Sequence, residues 1–206
     1  MEIVSEVNVE PKVTPKRAEI LTKAKRLFFA GGFDRTSVRD ISQACGCTVG
    51  NIYNYFTCKE EILYETLLVE MKELIALVEP LEDDEVTSPV EQLRLLVERH
   101  VHQALSQAKT ELPHFEMEMR YLTRSHQRKL VEYRDVYDRI LRKIIRRGIQ
   151  KGVFAEVSEK IAGYAIASTI LRARVWYSPK GELSMNELSE VIFRLFLNGL
   201  KPRNND

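Results

Sequence analysis

The segment from Ser37 to Lys59 constrains this chain more than any other, because its spacing predicts two short helices joined by a tight turn. Ser37 followed by Asp40 three positions later is the pattern of a capped helix start. Gly46 can adopt the positive φ that ends a helix and turns the chain at no steric cost. Thr48 can then cap the next helix.

The second helix of this unit is predicted over residues 49 to 55, and its two faces differ. The apolar side chains recur at three- and four-residue spacing and should pack inward beside Ile41 and Ala44; they are Val49, Ile52 and Phe56. The outward face carries groups suited to phosphates and base edges: Thr48, Gly50, Asn51, Tyr53 and Asn54. Thr57 with Glu60 repeats the capping pattern and predicts the start of the following helix.

These residues resemble the helix-turn-helix signature of the TetR family of bacterial transcriptional regulators. The resemblance covers about residues 16 to 63, and it rests on the Thr36-Ser37 pair, Gly46, Gly50, the Tyr53 to Phe56 run and the Lys59-Glu60 pair. The sequence departs from the usual family residues at four positions: Ser42, Cys45, Cys47 and Thr48 stand where Ala, Ala, Val and Ser are common. These exchanges replace one small side chain with another and are compatible with the same fold. The resemblance implies a protein that binds a double-stranded DNA operator.

Candidate DNA contacts follow from position within this motif. The side chains expected to contact phosphates are Thr36, Ser37, Thr48, Tyr53, Asn54 and Lys59. Those expected nearest the base edges are Arg39, Val49, Gly50 and Asn51. Gly50 would let the backbone come close to DNA, and an outward Asn51 could bind adenine through two hydrogen bonds. For any single one of these residues, an ordinary surface or capping role is the alternative.

Basic charge is concentrated around the same motif. Residues 12 to 59 carry nine Lys or Arg against three Asp or Glu, a net charge of +6 in a chain whose total is +1. Such a patch is the electrostatic footprint expected for a phosphate backbone, and a solvated basic face is the alternative. The cysteines Cys45, Cys47 and Cys58 form no C-x-x-C pair, so we expect structural thiols in a reducing compartment, with thiol sensing or metal binding as the alternative.

The whole chain is predicted to be all-α. Apolar residues at helical spacing recur along it, with no strand-like alternation, and about nine helices are expected, including a short one around Phe115, Met119 and Leu122. The predicted organisation is a flexible arm over 1–13, a three-helix DNA-binding domain over 14–58, a six-helix ligand-binding and dimerisation domain over 59–203, and a tail over 204–206.

The last two predicted helices differ from the others. The first, from Glu159 to Tyr177, is rich in Ala and Gly and would allow close helix approach, and the second is capped by Ser184 with Glu187. The TetR resemblance implies that this pair forms a four-helix homodimer interface; an intramolecular core is the alternative. A two-fold dimer could place two recognition helices about 34 to 36 Å apart, on successive major grooves of a palindrome.

The middle of the chain is expected to bind a small hydrophobic ligand. Aromatic, thioether and arginine side chains there could line an apolar cavity that also holds an anionic group, although most such residues are ordinary core. The candidate residues are Phe115, Met119, Arg120, Tyr133, Tyr137, Arg172 and Trp176. Residues 171–184 resemble, less specifically, TetR regulators that respond to acyl-CoA thioesters in lipid or steroid breakdown, in which an Arg and a Trp at this spacing touch the ligand. The basic run from Arg142 to Arg147 is expected to be a solvated face, with phosphate binding as the alternative.

Together these features predict a ligand-responsive transcriptional regulator. The sequence does not decide whether ligand releases or promotes DNA binding, and the TetR resemblance implies a repressor that leaves its operator when ligand binds. The alternative is a TetR-like protein that recruits a protein partner, as a nucleoid or division factor would, without a metabolite.

An enzyme, a metal site or a cofactor is not expected, because His100 and His102 diverge on a helix and the remaining histidines, His114 and His126, are isolated. No apolar run approaches the roughly 18 residues that cross a bilayer, so a cytoplasmic protein is expected.

Overall fold

The computed structural model describes residues 14–106 and 119–201, with the side chain of Phe29 excepted. Within these ranges it has no strand, and its α-helices in chain order are α1 (Pro15–Gly31), α2 (Val38–Ala44), α3 (Val49–Tyr53), α4 (Lys59–Val78), α5 (Pro89–Leu105), α6 (Arg124–Gln150), α7 (Glu159–Trp176) and α8 (Met185–Leu200). A short 3-10 helix, Glu79–Leu81, extends α4. The all-α prediction is confirmed. The short helix predicted around Phe115 lies largely outside the described residues, as do the predicted arm and tail.

Most helix starts follow the predicted capping residues. The Ser37–Asp40 and Ser184–Glu187 boxes are complete, with each acidic side chain returning to the cap backbone. Thr14 accepts from the backbone N–H of Arg17 and is followed by Pro15 at the first helical position. At Gly46 the chain adopts the predicted positive φ of 61°.

The predicted cap of α4 is wrong by one residue. Cys58 is the N-cap, and the backbone N–H and hydroxyl of Thr57 both donate to the carboxylate of Glu61, at 2.6 and 2.7 Å. Glu60 instead accepts hydrogen bonds from the first turn of α6. Tertiary contacts between α4 and α6 therefore decided which carboxylate serves the cap, and sequence spacing could not show this.

Two hydrophobic cores lie along α4. The N-terminal core contains buried residues of α1 to α3 and of the first half of α4, together with Leu122 and Leu130 from farther along the chain. The C-terminal core is built from the second half of α4 with α5 to α8. Because α4 contributes buried residues to both, it connects the two cores. Residues up to 58 do not complete the N-terminal core, which continues into α4 and the start of α6.

The end of α6 requires a glycine. A Cβ added at Gly148 would lie 2.0 Å from a ring carbon of Phe154, whose side chain is 2% exposed. We expect Gly148→Ala to lower the free energy of unfolding by about 2 to 3 kcal/mol, because this ring must leave its site or strain the helix. Gly163→Ala is the matched control, since a Cβ there meets only ordinary contacts at 3.6 Å or more. Urea unfolding of both variants tests this expectation, and equal effects would contradict it.

Candidate nucleic-acid interface

Helix α3 presents a polar surface on an apolar anchor. Ile52 is fully buried and Phe56 nearly so, whereas Val49 is half-buried. The side chains predicted to face outward are all exposed: Thr48, Gly50, Asn51, Tyr53 and Asn54. The predicted exposure pattern is therefore confirmed, although α3 ends at Tyr53, two residues earlier than expected. The inward position before the turn is Cys45 and not Ala44, which is exposed.

Thr48 holds Asn51 in place at the start of α3. The Thr48 hydroxyl oxygen accepts from the backbone N–H of Asn51 at 3.2 Å and lies 2.6 Å from the Asn51 side-chain oxygen, to which it donates. This contact fixes the orientation of the Asn51 amide. The amide N–H groups and the second lone pair of the oxygen stay available, which is what an adenine edge requires.

Ser37 and Arg39 begin α2 beside this surface, and both are exposed. The Ser37 hydroxyl also closes the capping box with Asp40, and this contact holds the Asp40 pKa below its usual range. Arg39 lies in the first turn of α2, and its side chain is exposed to solvent.

Thr36 and Lys59, both predicted to contact phosphates, are used inside the protein. Thr36 is 5% exposed, and its hydroxyl lies within hydrogen-bonding distance of the carbonyls of Leu27 and Gly32. The Lys59 ammonium donates to the carbonyls of Phe33 and Thr36 at 2.9 and 3.0 Å and lies 4.1 Å from the centre of the Phe33 ring. The structure thus gives both side chains a role in fixing the turn between α1 and α2 against α4.

The basic charge of this region is partly internal. Arg17 is 5% exposed, forms a two-pronged ion pair with Glu65, and stacks over the Phe56 ring at 4.4 Å. Desolvation lowers the pKa of Arg17 from its ordinary value. Lys25 pairs with the buried Glu70 at 2.6 Å. The exposed basic surface is therefore smaller than the sequence total suggests, and its exposed members include Arg26, Arg35 and Arg39.

The described candidates for ligand binding fall in three places. Met119 packs against the N-terminal core, and Arg120 lies beside it with its guanidinium 4.6 Å from the Tyr121 ring. Tyr133 and Tyr137 lie on α6, half-buried and buried respectively. Arg172 and Trp176 are exposed on α7. Phe115 lies outside the described residues.

A buried polar cluster that the sequence did not reveal joins the two cores. His100 is 2% exposed, and its Nδ1 lies 2.7 Å from the Tyr137 hydroxyl. Burial, with a smaller contribution from the nearby charge of Arg174, lowers the pKa of His100 to about 3, so the imidazole is neutral. Glu70 lies 2.6 Å from the Lys25 ammonium and 3.6 Å from the Arg174 guanidinium. The cluster therefore connects α1 with α4 and α7. Charged residues on otherwise apolar helix faces were its only sequence signal.

The basic run on α6 pairs with acidic groups of the same chain. Arg142 binds Asp138, Lys143 lies 2.7 Å from Asp83, and Arg146 lies 2.7 Å from Glu159. Arg147 donates to backbone carbonyls of residues 81, 82 and 84. Lys143 and Arg147 therefore hold the segment after α4, whereas Arg142 pairs within α6 and Arg146 pairs with the start of α7.

The three cysteines are free thiols with different exposure. Cys45 is buried, Cys47 is half-buried and Cys58 is exposed. Burial raises the pKa of the Cys45 thiol, which fits a side chain that packs in the N-terminal core. Among the residues that the structure describes, no group of three or more His, Cys, Asp or Glu could hold a metal ion.

Helices α7 and α8 carry a large exposed apolar surface. Ile161 is 66% exposed and Leu195 is 64% exposed, fractions unusual for aliphatic side chains in a folded protein. Other exposed members of this surface are Tyr164, Leu171, Val175 and Val191. No helix in the described parts of the chain is long and apolar enough to cross a membrane.

The fold and the α3 surface define a helix-turn-helix DNA-binding regulator with an all-helical second half. Residues 20–66 match the family model for bacterial regulatory proteins of the tetR family, and residues 86–200 match the tetracyclin repressor-like C-terminal domain. The chain therefore belongs to the TetR family of bacterial regulatory proteins. Proteins of this family bind DNA operators and dimerise, and they are not enzymes.

Relatives by sequence are similar over nearly their whole length. The HTH-type transcriptional repressor KstR2 of Mycobacterium tuberculosis H37Rv is 25% identical over 194 residues, covering 93% of this chain and 96% of the relative. The fatty acid metabolism regulator protein of Bacillus subtilis is 26% identical over 196 residues, covering 90% of this chain and 96% of the relative.

Solved structures share the fold. The TetR family regulator PfmR from Thermus thermophilus is 33% identical, with a TM-score of 0.78 over 89% of this chain and 99% of that one. AibR, solved in complex with isovaleryl coenzyme A and operator DNA, has a TM-score of 0.73 at 21% identity, over 92% of this chain and 99% of AibR.

Proposed function

We propose that this protein binds a palindromic operator as a homodimer and is released when a small hydrophobic ligand, of the acyl-CoA class, occupies its second half. The observation that carries the DNA-binding part is the α3 surface, in which five exposed polar or small residues stand on the buried Ile52 and Phe56. This arrangement presents amide and hydroxyl groups on a helix whose orientation the core fixes.

The exposed apolar surface of α7 and α8 supports the dimer. In a dimer, a second copy of the chain would cover Ile161, Leu195 and their neighbours. This removes from water an apolar surface of a kind that soluble monomers rarely expose. We propose that the two-fold axis of this dimer sets the two α3 helices on the same side, as a palindrome requires.

The ligand class is supported by the relatives and by the side chains of α6 and α7. One relative is a fatty acid metabolism regulator, and AibR was solved with isovaleryl coenzyme A. In this chain Arg172 and Trp176 lie one helical turn apart on α7, and Tyr133 and Tyr137 lie one turn apart on α6. We propose that an acyl chain contacts the tyrosines and that Arg172 and Trp176 contact the coenzyme A part. Met119 and Arg120 are better explained by their contacts with the N-terminal core.

Release follows from linkage between the two sites. A ligand that favours a conformation with a different spacing of the two α3 helices must weaken operator binding by the same factor as DNA weakens ligand binding. Helix α4 is suited to carry this change because it belongs to both cores. A typical coupling of about 1 to 3 kcal/mol corresponds to a roughly 5- to 150-fold change in operator affinity.

Selection of duplexes from a random pool by the purified protein tests this function. A two-fold symmetric sequence bound by two copies is expected, followed by release on titration with acyl-CoAs of increasing chain length. Free fatty acids and coenzyme A alone serve as controls for the two parts of the ligand. A monomer that selects no duplex at low ionic strength contradicts the DNA-binding proposal. A selected operator that none of these compounds releases contradicts the ligand proposal and favours recruitment of a protein partner.

Two asparagines on α3 give a matched test of the DNA contacts. Asn51→Ala is expected to weaken binding to the selected operator about tenfold and to leave a scrambled duplex within about twofold, because one bidentate base contact is worth about 1 to 3 kcal/mol. Asn54→Ala should weaken both duplexes alike, since a phosphate contact carries no sequence information. Fluorescence anisotropy at fixed salt measures the affinity of each variant for the selected operator and for the scrambled duplex. Equal losses on the two duplexes for Asn51→Ala would show that it does not read a base.

A further inference from the structure

The segment from residue 119 to residue 130 lies beyond α5 in sequence but packs on the DNA-binding part of the molecule. Leu122 is 6% exposed and Leu130 is fully buried, and both belong to the N-terminal core. The Tyr121 ring lies 4.7 Å from the Phe33 ring, which follows α1. The core beneath the helix-turn-helix is therefore completed by residues from the other half of the chain.

Polar contacts fix this segment to the turn that precedes α2. The Tyr121 hydroxyl donates to Oδ2 of Asp34 at 2.5 Å and accepts from the Arg120 guanidinium at 2.6 Å. Asp34 stands three residues before Ser37, the cap of α2. This hydrogen bond therefore links the position of Tyr121 to the turn that leads into α2.

A second set of contacts joins the first turns of α4 and α6. Glu60 accepts from the backbone N–H of Thr123 at 2.8 Å, and its carboxylate lies 2.9 Å from Nδ1 of His126. The His126 ring stacks on the Tyr64 ring at 3.9 Å with an interplanar angle of 6°. One carboxylate thus stands at the positive amino ends of both helices, where negative charge is stabilised.

We propose that Tyr121 and His126 are positioning residues for DNA binding: through Asp34 and Glu60 they fix the orientation of α2 and α3 relative to α6. The proposal rests on the DNA-binding function above and extends it to residues of the other half. Only an operator that engages both α3 helices of a dimer needs this fixed orientation. Contacts with a non-specific duplex tolerate a loosely held helix-turn-helix, because the phosphate charge is uniform along DNA.

Three substitutions separate the polar contacts from ring packing. Tyr121→Phe removes only the hydroxyl that donates to Asp34. His126→Phe keeps a ring that can stack on Tyr64 and loses the contact with Glu60. His126→Gln keeps a donor for Glu60 and loses the ring. Tyr121→Phe removes no formal charge, so long-range attraction to DNA stays constant in that variant. His102→Phe is the matched control, because His102 contacts Asn186 between α5 and α8, within the other half.

We expect the double variant Tyr121→Phe/His126→Phe to bind the selected operator about tenfold more weakly than the natural protein, because binding must then order α2 and α3. Its affinity for a scrambled duplex should stay within about twofold, with an unchanged salt slope. His126→Gln and His102→Phe should each bind the operator within about twofold of the natural protein. Hydrogen exchange should be faster in residues 33–40 of the double variant and unchanged in His102→Phe.

Two outcomes would overturn the proposal. In the first, the double variant retains its operator affinity and its exchange in residues 33–40. In the second, operator and scrambled duplex are weakened equally alongside a lower melting temperature, as expected if the segment only stabilises the fold. If the natural protein itself selects no duplex, the proposed DNA-binding function fails. The exchange measurement still reports whether Tyr121 and His126 hold the start of α2, so the two failures are distinguishable.

Discussion

Replacing Arg17 with Met is expected to lower the free energy of unfolding by about 3 to 5 kcal/mol, because it leaves a poorly solvated carboxylate without its cation. The Arg17 side chain is 6% exposed and that of its partner Glu65 is 16% exposed. Arg17 also stacks over Phe56, and Glu61 lies 3.9 Å from the same guanidinium. Removing the cation therefore affects α1, α4 and the anchor of α3 together.

The double variant Arg17→Met/Glu65→Leu provides the control for this prediction. Replacing both partners with apolar side chains of similar size removes the uncompensated charge, so much of the lost stability should return. Urea unfolding followed by circular dichroism gives the free energies for the cycle. Loss of an exposed ion pair lowers the free energy of unfolding by less than about 1 kcal/mol. If Arg17→Met has an effect that small, the burial of this ion pair is not what stabilises the N-terminal core.

Acidification is expected to destabilise the protein through His100, by up to about 1.4 kcal/mol for each pH unit below about 6.5. Burial lowers the folded pKa of His100 to about 3, below the value of an unfolded histidine. Between these two values the unfolded chain binds the additional proton. The stability contributed by the neutral imidazole is therefore complete above about pH 6.5 and is lost as the pH falls toward 3.

Comparison with His100→Gln isolates this contribution, because glutamine does not titrate and can still meet the Tyr137 hydroxyl. The free energy of unfolding of the natural protein should fall more steeply than that of the variant, with the difference changing by about 3 kcal/mol between pH 6.5 and pH 4. His102→Gln, at a half-buried histidine on the same helix that contacts Asn186, is the matched control. Parallel slopes for the natural protein and His100→Gln would show that His100 is protonated in the folded state.

Local sequence signals predicted the helical framework well because capping and turning involve neighbouring residues. Ser37, Gly46, Thr48 and Ser184 act as their spacing predicted. The two faces of α3 were predictable for the same reason, since helical periodicity alone places Ile52 inward and Tyr53 outward. These features depend on interactions within about four residues along the chain.

Roles that depend on distant residues were not predictable. Thr36 and Lys59 match the motif by position, yet their side chains bind carbonyls inside the protein. Glu60 was expected to cap its own helix. Its carboxylate instead forms hydrogen bonds with the backbone N–H of Thr123 and with Nδ1 of His126, which lie more than sixty positions away in the sequence. Sequence spacing says nothing about such partners, because they meet only after α4 and α6 have packed.

By itself, the sequence determined an all-helical chain with a helix-turn-helix near its amino end and an outward polar face on α3. Only the tertiary structure decided which charges are buried and which segment completes the N-terminal core. Arg17 and Lys25 counted as basic surface in the sequence, whereas the fold pairs them with carboxylates of α4. The physical reason is that helix formation is local, whereas burial and ion pairing depend on which helix faces come together in space.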